Sequence, residues 1–258
     1  MKAVIFAGGE GARLVPYTRV LPKPLLPVGE RPVLEIIIGQ LRTVGVTEIV
    51  LATGYLSSLI ETFFGDGGGY GVKITYTRER EKLGTVGALG SIGGLDETFI
   101  MMNGDVLTDT PLYSDLIVAH RRCGAAATIA SKQQKVDVDY GVLALTEDLG
   151  GARRIERIDE KPRYSWPVSM GVYAIEPRVQ RFVAPGQRMD LPDLIGQLID
   201  AGETVAAYDH PGYWQDIGQL HDLEAAAQTL EGSADAFVVK SRAETGEYPA
   251  LDIREAGP

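Results

Sequence analysis

Residues 6–32 read FAGGEGARLVPYTRVLPKPLLPVGERP, and they take over from Ala3-Val4-Ile5-Phe6, an apolar run with the composition of a buried strand. Three glycines (Gly8, Gly9, Gly11) fall within four residues and five prolines follow. Glycines after a strand let backbone N–H groups approach an oxyanion with no Cβ in the way. Pro16 interrupts any helix begun at Gly11, and Pro22, Pro24 and Pro27 block a second start. The chain is thus held irregular beyond the roughly 12–15 residues at which unstructured connections become uncommon and are usually functional. Arg13, Arg19, Lys23 and Arg31 stand in this stretch against Glu10 and Glu30, a cationic loop in a chain of net charge -10. Such a loop at a strand's carboxyl end suits phosphate, the alternative being a surface loop with solvated Arg and Lys.

Two named glycine motifs fail here. A dinucleotide G-x-G-x-x-G begun at Gly9 has Gly11 but meets Leu14 where the third glycine belongs, and the Gly-Lys-Ser/Thr of a Walker A loop is missing.

The rest of the chain has ordinary globular composition, 45% apolar and 23% charged over 258 residues. Its negative charge opposes non-specific attraction to nucleic acid or an anionic membrane, so neither is expected as a partner. Cys123 has no second cysteine to pair with and is expected to be buried or half-buried. No run has the length of a signal-peptide core or a bilayer span, and a cytoplasmic location is expected. Buried-strand patterns at 3–7, 48–53, 73–77 and 98–102 alternate with helical patterns near 33–44, 56–64 and 111–122, which predicts βαβ units. Past residue 124 the rhythm changes: strands are expected at 126–131, 141–146, 153–158, 169–175 and 204–208, with helices at 190–201 and 219–230. The expected fold class is α/β, a Rossmann-like, mostly parallel sheet flanked by helices, with antiparallel additions and a small lobe that could hold a second substrate.

The order G-G-x-G-x-R-L-x-P-x-T-x-x-x-P-K-P-x-x-P-V, met at each fixed position by GGEGARLVPYTRVLPKPLLPV, resembles the signature of the sugar-1-phosphate nucleotidylyltransferases. The resemblance runs to about residue 226. It implies a catalytic domain over 1–230, with a nucleotide-binding part to about 123 and a sugar-binding part from 124. Residues 231–258 are left as a tail, loosely ordered or used against a partner subunit. A homodimer is allowed but not specified. Many members carry a C-terminal β-helix or acyltransferase region, for which this length is expected to leave no room.

Residue by residue, the resemblance implies Arg13 and Lys23 as the catalytic cations, and Ala7, Gly8, Gly9, Gly11, Gly84, Thr85, Asn103 and Gly104 around the nucleotide. Asp105 in MMNGDVLTD and Asp216 in GYWQDIG match the family's Mg²⁺-binding aspartates, and two carboxylates facing a triphosphate would repel it without a metal. Glu160 and Lys161 in RIDEKP match the Glu-Lys-Pro motif, whose Glu binds sugar hydroxyls and whose Lys binds the 1-phosphate. Gly141 would let the sugar lie close to backbone, and Ser169-Met170-Gly171 stands where many members read Asn-Ala-Gly, placing Ser169 and Gly171 at the sugar. Thymidylyltransferase-like members carry a Gln and Pro-x-Gly-Leu near residue 81; Glu81 before LGTVGAL is instead similar to mannose- and heptose-phosphate guanylyltransferases. A carboxylate accepts from both N1–H and the 2-amino group of guanine, which favours GTP.

The implied reaction joins a nucleoside triphosphate to a sugar 1-phosphate and releases pyrophosphate. With a second phosphate pKa of about 6 the nucleophile is already anionic, so no general base is needed. Another nucleotide, or a regulatory protein that binds nucleotide sugars without making them, are the alternatives. A dinucleotide-dependent oxidoreductase is disfavoured by the missing third glycine.

Overall fold

The protein is described here as a computed structural model covering residues 1–79, 81–232 and Phe237. Its strands in chain order are β1 (Lys2–Ala7), β2 (Pro27–Val28), β3 (Arg31–Pro32), β4 (Glu48–Thr53), β5 (Lys73–Arg78), β6 (Phe99–Asn103), β7 (Val106–Thr108), β8 (Ala127–Asp137), β9 (Val142–Asp148), β10 (Arg153–Asp159), β11 (Arg163–Ile175), β12 (Val205–Asp209) and β13 (Trp214–Asp216). The α-helices are α1 (Val33–Thr43), α2 (Ser57–Phe64), α3 (Pro111–Cys123), α4 (Leu191–Asp200) and α5 (Leu220–Gly232).

Seven strands form one sheet in the order β12-β8-β11-β6-β1-β4-β5. β6, β1, β4 and β5 run parallel, and β11 is the one strand of this sheet that pairs antiparallel to its neighbours. The antiparallel additions expected past residue 124 are therefore only partly antiparallel, because β12 lies parallel to β8.

The strands are apolar on both faces because both are covered. Along β1, Ala3, Ile5 and Ala7 point into the core packed by α1, while Val4 points to the opposite core with Leu194 and Leu198 of α4. β6 divides the same way: Ile100 and Met102 on one side, Phe99 and Met101 on the other. α3 opens on Pro111 and closes at Gly124 (φ 61°), with Arg121 and Arg122 in the last turn, where cations complement the helix dipole.

β8 and β11 run on beyond this sheet as a two-stranded arm in which Asp137 faces Arg163, and β9 pairs only with β10. Strand β11 begins at Arg163, earlier than the pattern starting at 169 suggested, because Arg163–Ser169 lie in the exposed arm with neither face buried and so show no alternation of burial. Cys123 is exposed at the end of α3, contrary to the expected burial. Among the described residues no helix is long and apolar enough to cross a membrane. The expected tail, beyond the last turn of α5 and apart from Phe237, lies outside the described residues.

Gln40 of α1 is fully buried. Its Nε2 donates to the Thr108 carbonyl at 2.7 Å, and its Oε1 accepts from the Tyr113 hydroxyl at 3.4 Å, so one amide ties α1 to β7 and α3. Gln40→Leu strands both partners. It is expected to cost about 1–3 kcal/mol, read as a lower urea midpoint at unchanged m-value.

Candidate active site

β1 ends at Ala7, and the chain then makes three single 3-10 turns at Ala12–Leu14, Tyr17–Arg19 and Lys23–Leu25 rather than a helix. The Gly11 carbonyl anchors the first bend, accepting the Leu14 N–H and the Thr18 hydroxyl, each at 2.9 Å. Gly11 has φ 61°, and a Cβ there would come within 2.7 Å of Thr18 Cγ2 and 3.3 Å of Lys23 Cβ. Pro22 leads into the third turn, where Leu25 and Leu26 donate back to the carbonyls of Pro22 and Lys23. The outcome is a buried lysine: Lys23 is 8% exposed and its ammonium bonds the Asp105 carboxylate.

Asp105 follows β6, which lies next to β1. Gly104 makes that approach close: its N–H donates to the Phe6 carbonyl at 2.9 Å, and a Cβ would stand 3.1 Å from the same oxygen. Asp216 arrives through β13, which pairs antiparallel with β7 so that Asp216 faces Val106 and the Ile217 N–H reaches the Asp105 carbonyl at 2.9 Å. The Asp216 carboxyl is pushed up by partial burial and by the Asp105 charge, while Lys23 and Arg13 pull against the shift. Two carboxylates and two cations thus share one field. Arg13 lies against the following turn, where a Cβ on Gly218 would meet its guanidinium at 3.2 Å.

A cavity of about 550 Å³ opens beside these groups, lined among others by Gly8, Gly9, Gly11, Asn103 and Asp105. This size suits a nucleotide-scale ligand. Its far wall is Gly84 and Thr85, pinned to the start of α4: the Thr85 N–H donates to Asp190 Oδ1 at 3.0 Å, and its hydroxyl accepts the Leu191 N–H at 2.7 Å. Glu81 is exposed and does not line the cavity; Glu79, one residue past β5, does. Its N–H extends the sheet to the Thr53 carbonyl at 2.8 Å, and burial pushes its carboxyl above the ordinary range, partly offset by a backbone hydrogen bond from Leu83.

Beyond the cavity lining, the lobe carries the other expected residues. Glu160 and Lys161 are exposed in the turn between β10 and β11, and Gly141 faces Glu160, whose Oε2 would be 3.1 Å from a Cβ there. Lys161 has φ 47°, a left-handed backbone seldom taken by a residue with a side chain. Ser169 and Gly171 sit where the pairing of β11 with β8 slips, and a Cβ on Gly171 (φ 77°) would be 2.9 Å from Asn103 Nδ2. That irregularity joins the lobe to the cavity wall.

The profile of the nucleotidyl transferase family matches residues 2–233. The chain belongs to the nucleotidyl transferase family. It is 37% identical to the UTP–glucose-1-phosphate uridylyltransferase of Synechocystis sp. over 98% of its length and 67% of that relative. It is 34% identical to the mannose-1-phosphate guanyltransferase of Yarrowia lipolytica over 86% of its length and 62% of that relative. The chain thus spans about two thirds of the curated relatives it matches. A crystal structure from Bacillus anthracis, assigned as a glucose-1-phosphate thymidylyltransferase, superposes with a TM-score of 0.68 at 26% identity, covering 89% of this chain and 94% of that one.

For this nucleotidyl transferase, sequence reasoning missed Phe6, Glu10, Ala12, Glu79, Lys82 and Arg188 on the cavity wall. Glu79 was findable as the first carboxylate past a strand's carboxyl end. Arg188 comes from a loop with no local signal. Because Gly11 has neither the φ nor the space for a side chain, Gly11→Ala displaces the Lys23 turn. Calorimetric titration is expected to show at least about tenfold weaker nucleoside triphosphate binding with an unaltered far-ultraviolet spectrum.

Since the folded chain holds the Asp216 proton more tightly than the unfolded chain, this group's penalty is absent below its unfolded pKa and grows as pH rises through the folded one. Asp216→Asn is therefore expected to melt at or above the wild-type temperature at pH 7 without metal, and the gain should vanish near pH 3.

Proposed function

We propose that this nucleotidyl transferase condenses a nucleoside triphosphate with a sugar 1-phosphate, releasing pyrophosphate. The observation that carries the reading is the convergence of Lys23, Arg13, Asp105 and Asp216 beside a nucleotide-sized cavity bordered by Gly8, Gly9 and Gly11. Nucleotide binding is assigned to about residues 1–123 and sugar binding to 124–230.

The donor set fits Mg²⁺. Asp105 and Asp216 offer hard oxygen ligands, and no cluster of three or more His, Cys, Asp or Glu among the described residues makes a complete protein cage. That suits an ion that keeps waters and takes phosphate oxygens. When bound, Mg²⁺ supplies charge neutralisation on the phosphates. The chain's own groups do the rest. Backbone N–H groups around Gly9 and Gly11 hold the triphosphate, and Arg13 and Lys23 balance the charge that develops on the leaving pyrophosphate. Lys161 orients the incoming phosphate and Glu160 holds sugar hydroxyls. An oxygen of the sugar phosphate forms a bond to the α-phosphorus as the bond from that phosphorus to the bridging oxygen breaks. The dianionic nucleophile needs no proton removed.

Glu79 rather than Glu81 is the carboxylate assigned to the base. An acceptor-only group meets two donors on guanine, one N–H on uracil and a lone amino group on adenine or cytosine, so GTP is the favoured nucleotide.

Pyrophosphate release assayed over four nucleotides and a panel of hexose, heptose and cyclitol 1-phosphates is expected to be fastest with GTP. Lys23→Ala and Asp105→Ala are expected to abolish it while the fold persists, and full turnover by both sinks these roles. Glu79→Gln is expected to lower the preference for GTP over UTP by about tenfold, the scale of one lost charged hydrogen bond. A wild type that binds nucleotide sugars without releasing pyrophosphate would mark a non-catalytic member.

A further inference from the structure

The turn between β12 and β13 carries a buried polar cluster that the proposed chemistry leaves unused. His210 is 4% exposed, and its Nε2–H donates to Asp109 Oδ1 at 2.7 Å. The other Asp109 oxygen accepts the Tyr213 N–H at 3.0 Å. From β8, the Lys132 ammonium donates to the carbonyls of His210 at 3.2 Å, Pro211 at 2.8 Å and Gly212. A Cβ on Gly212 would overlap the Asp109 carboxylate, so the turn is wrapped as tightly as glycine permits. The other ring nitrogen of His210, Nδ1, is buried without a partner among the described residues. An unpaired buried polar atom is a cost that fold stability alone gives no reason to carry.

What the cluster adjoins supplies a reason. Asp109 directly follows β7, and the turn leads into β13; between them Thr108 faces Trp214, Leu107 faces Gln215 and Val106 faces Asp216. The clamp closes one end of this ladder, and Asp105 and Asp216 stand at the other. A two-stranded ladder of three residues each is marginal alone. A slip of one residue would turn Asp216 to the opposite face.

We propose that Asp109, His210 and Lys132 are positioning residues that fix the register of β13 and thereby aim the Asp216 carboxylate at the metal shared with Asp105, an inference that rests on the functional reading above. None of the three lines the cavity beside Asp105. Their effect is on where a ligand stands.

The test compares Lys132→Met with the conservative Lys132→Arg. Thr98→Ala serves as a control at the opposite end of the sheet, where Thr98 bonds Glu176 at 2.6 Å. The readouts are the Mg²⁺ concentration for half-maximal pyrophosphate release, the KM for sugar 1-phosphate, and Mn²⁺ affinity by electron paramagnetic resonance with a GTP analogue blocked between its α- and β-phosphates. Lys132→Met is expected to weaken both metal values by about tenfold at unchanged sugar-phosphate KM, the scale on which residues behind a metal ligand act. Lys132→Arg should stay within about threefold of wild type. Thr98→Ala should lower the melting temperature and move neither metal value. If Lys132→Met fails to fold, His210→Phe is expected to give the same loss and His210→Gln, which keeps a donor toward Asp109, to restore it. Wild-type metal dependence in the disrupted variants, or an equal shift in Thr98→Ala, overturns the proposal. A wild-type protein that binds no Mn²⁺ with any nucleotide overturns the functional reading and the clamp's role with it.

Discussion

A charged ammonium shut away from water needs a counter-charge, and Lys23 has Asp105. Much of the site's layout follows from bringing these two together. Residue 23 must return to the end of β6 after leaving β1, so β6 has to lie beside β1, as it does. The intervening chain must turn back without forming a helix, which would carry its cations away. Gly11 supplies the left-handed bend, Thr18 and Leu14 hold it, and Pro22 sets up the last turn.

The pair also sets a tension between stability and use. Asp216, drawn into the same field by the β7–β13 ladder, is partly buried near a like charge, and its raised carboxyl records that cost. At neutral pH the metal-free site therefore works against folding, while the cores on both faces of the sheet work for it. Under the proposed function, a divalent cation held by both carboxylates would reverse the sign of this contribution.

What was legible in the sequence follows from where the signal comes from. β1, β4 and β6 were readable because burial on both faces leaves runs of Val, Ile, Leu and Met with no polar alternation. The glycine and proline positions of the loop were readable because backbone geometry admits few alternatives there. Which carboxylate of this charged run lines the cavity, Glu79 or the expected Glu81, was not legible, because choosing between them needs the residue at which β5 stops continuing the sheet. β7 and β13 left no trace, since three-residue strands are held by the clamp at His210 and Asp109 rather than by any periodicity of their own. The exposed arm was legible only in part: the first half of β11 is solvated on both faces and mixes Tyr164, Trp166 and Val168 with Arg163 and Ser165, so no buried run marks it.

These differences in legibility track differences in constraint. The phosphate end is built from backbone, where a Cβ at Gly11 or Gly104 meets atoms within 2.7 and 3.1 Å, so the residue type is dictated by space. At the other end of the cavity stands one half-buried carboxylate, Glu79, on a strand extension, and in the lobe Lys161 takes its left-handed backbone in an exposed turn. A triphosphate is common to every reaction of this type, whereas base and sugar differ among members such as the uridylyl and guanylyl enzymes matched here. One scaffold can therefore keep a rigid phosphate cradle and vary its two specificity ends at little cost to folding. The exposed side chains of the lobe contribute little to the core, and the two clusters that do sit under the cradle.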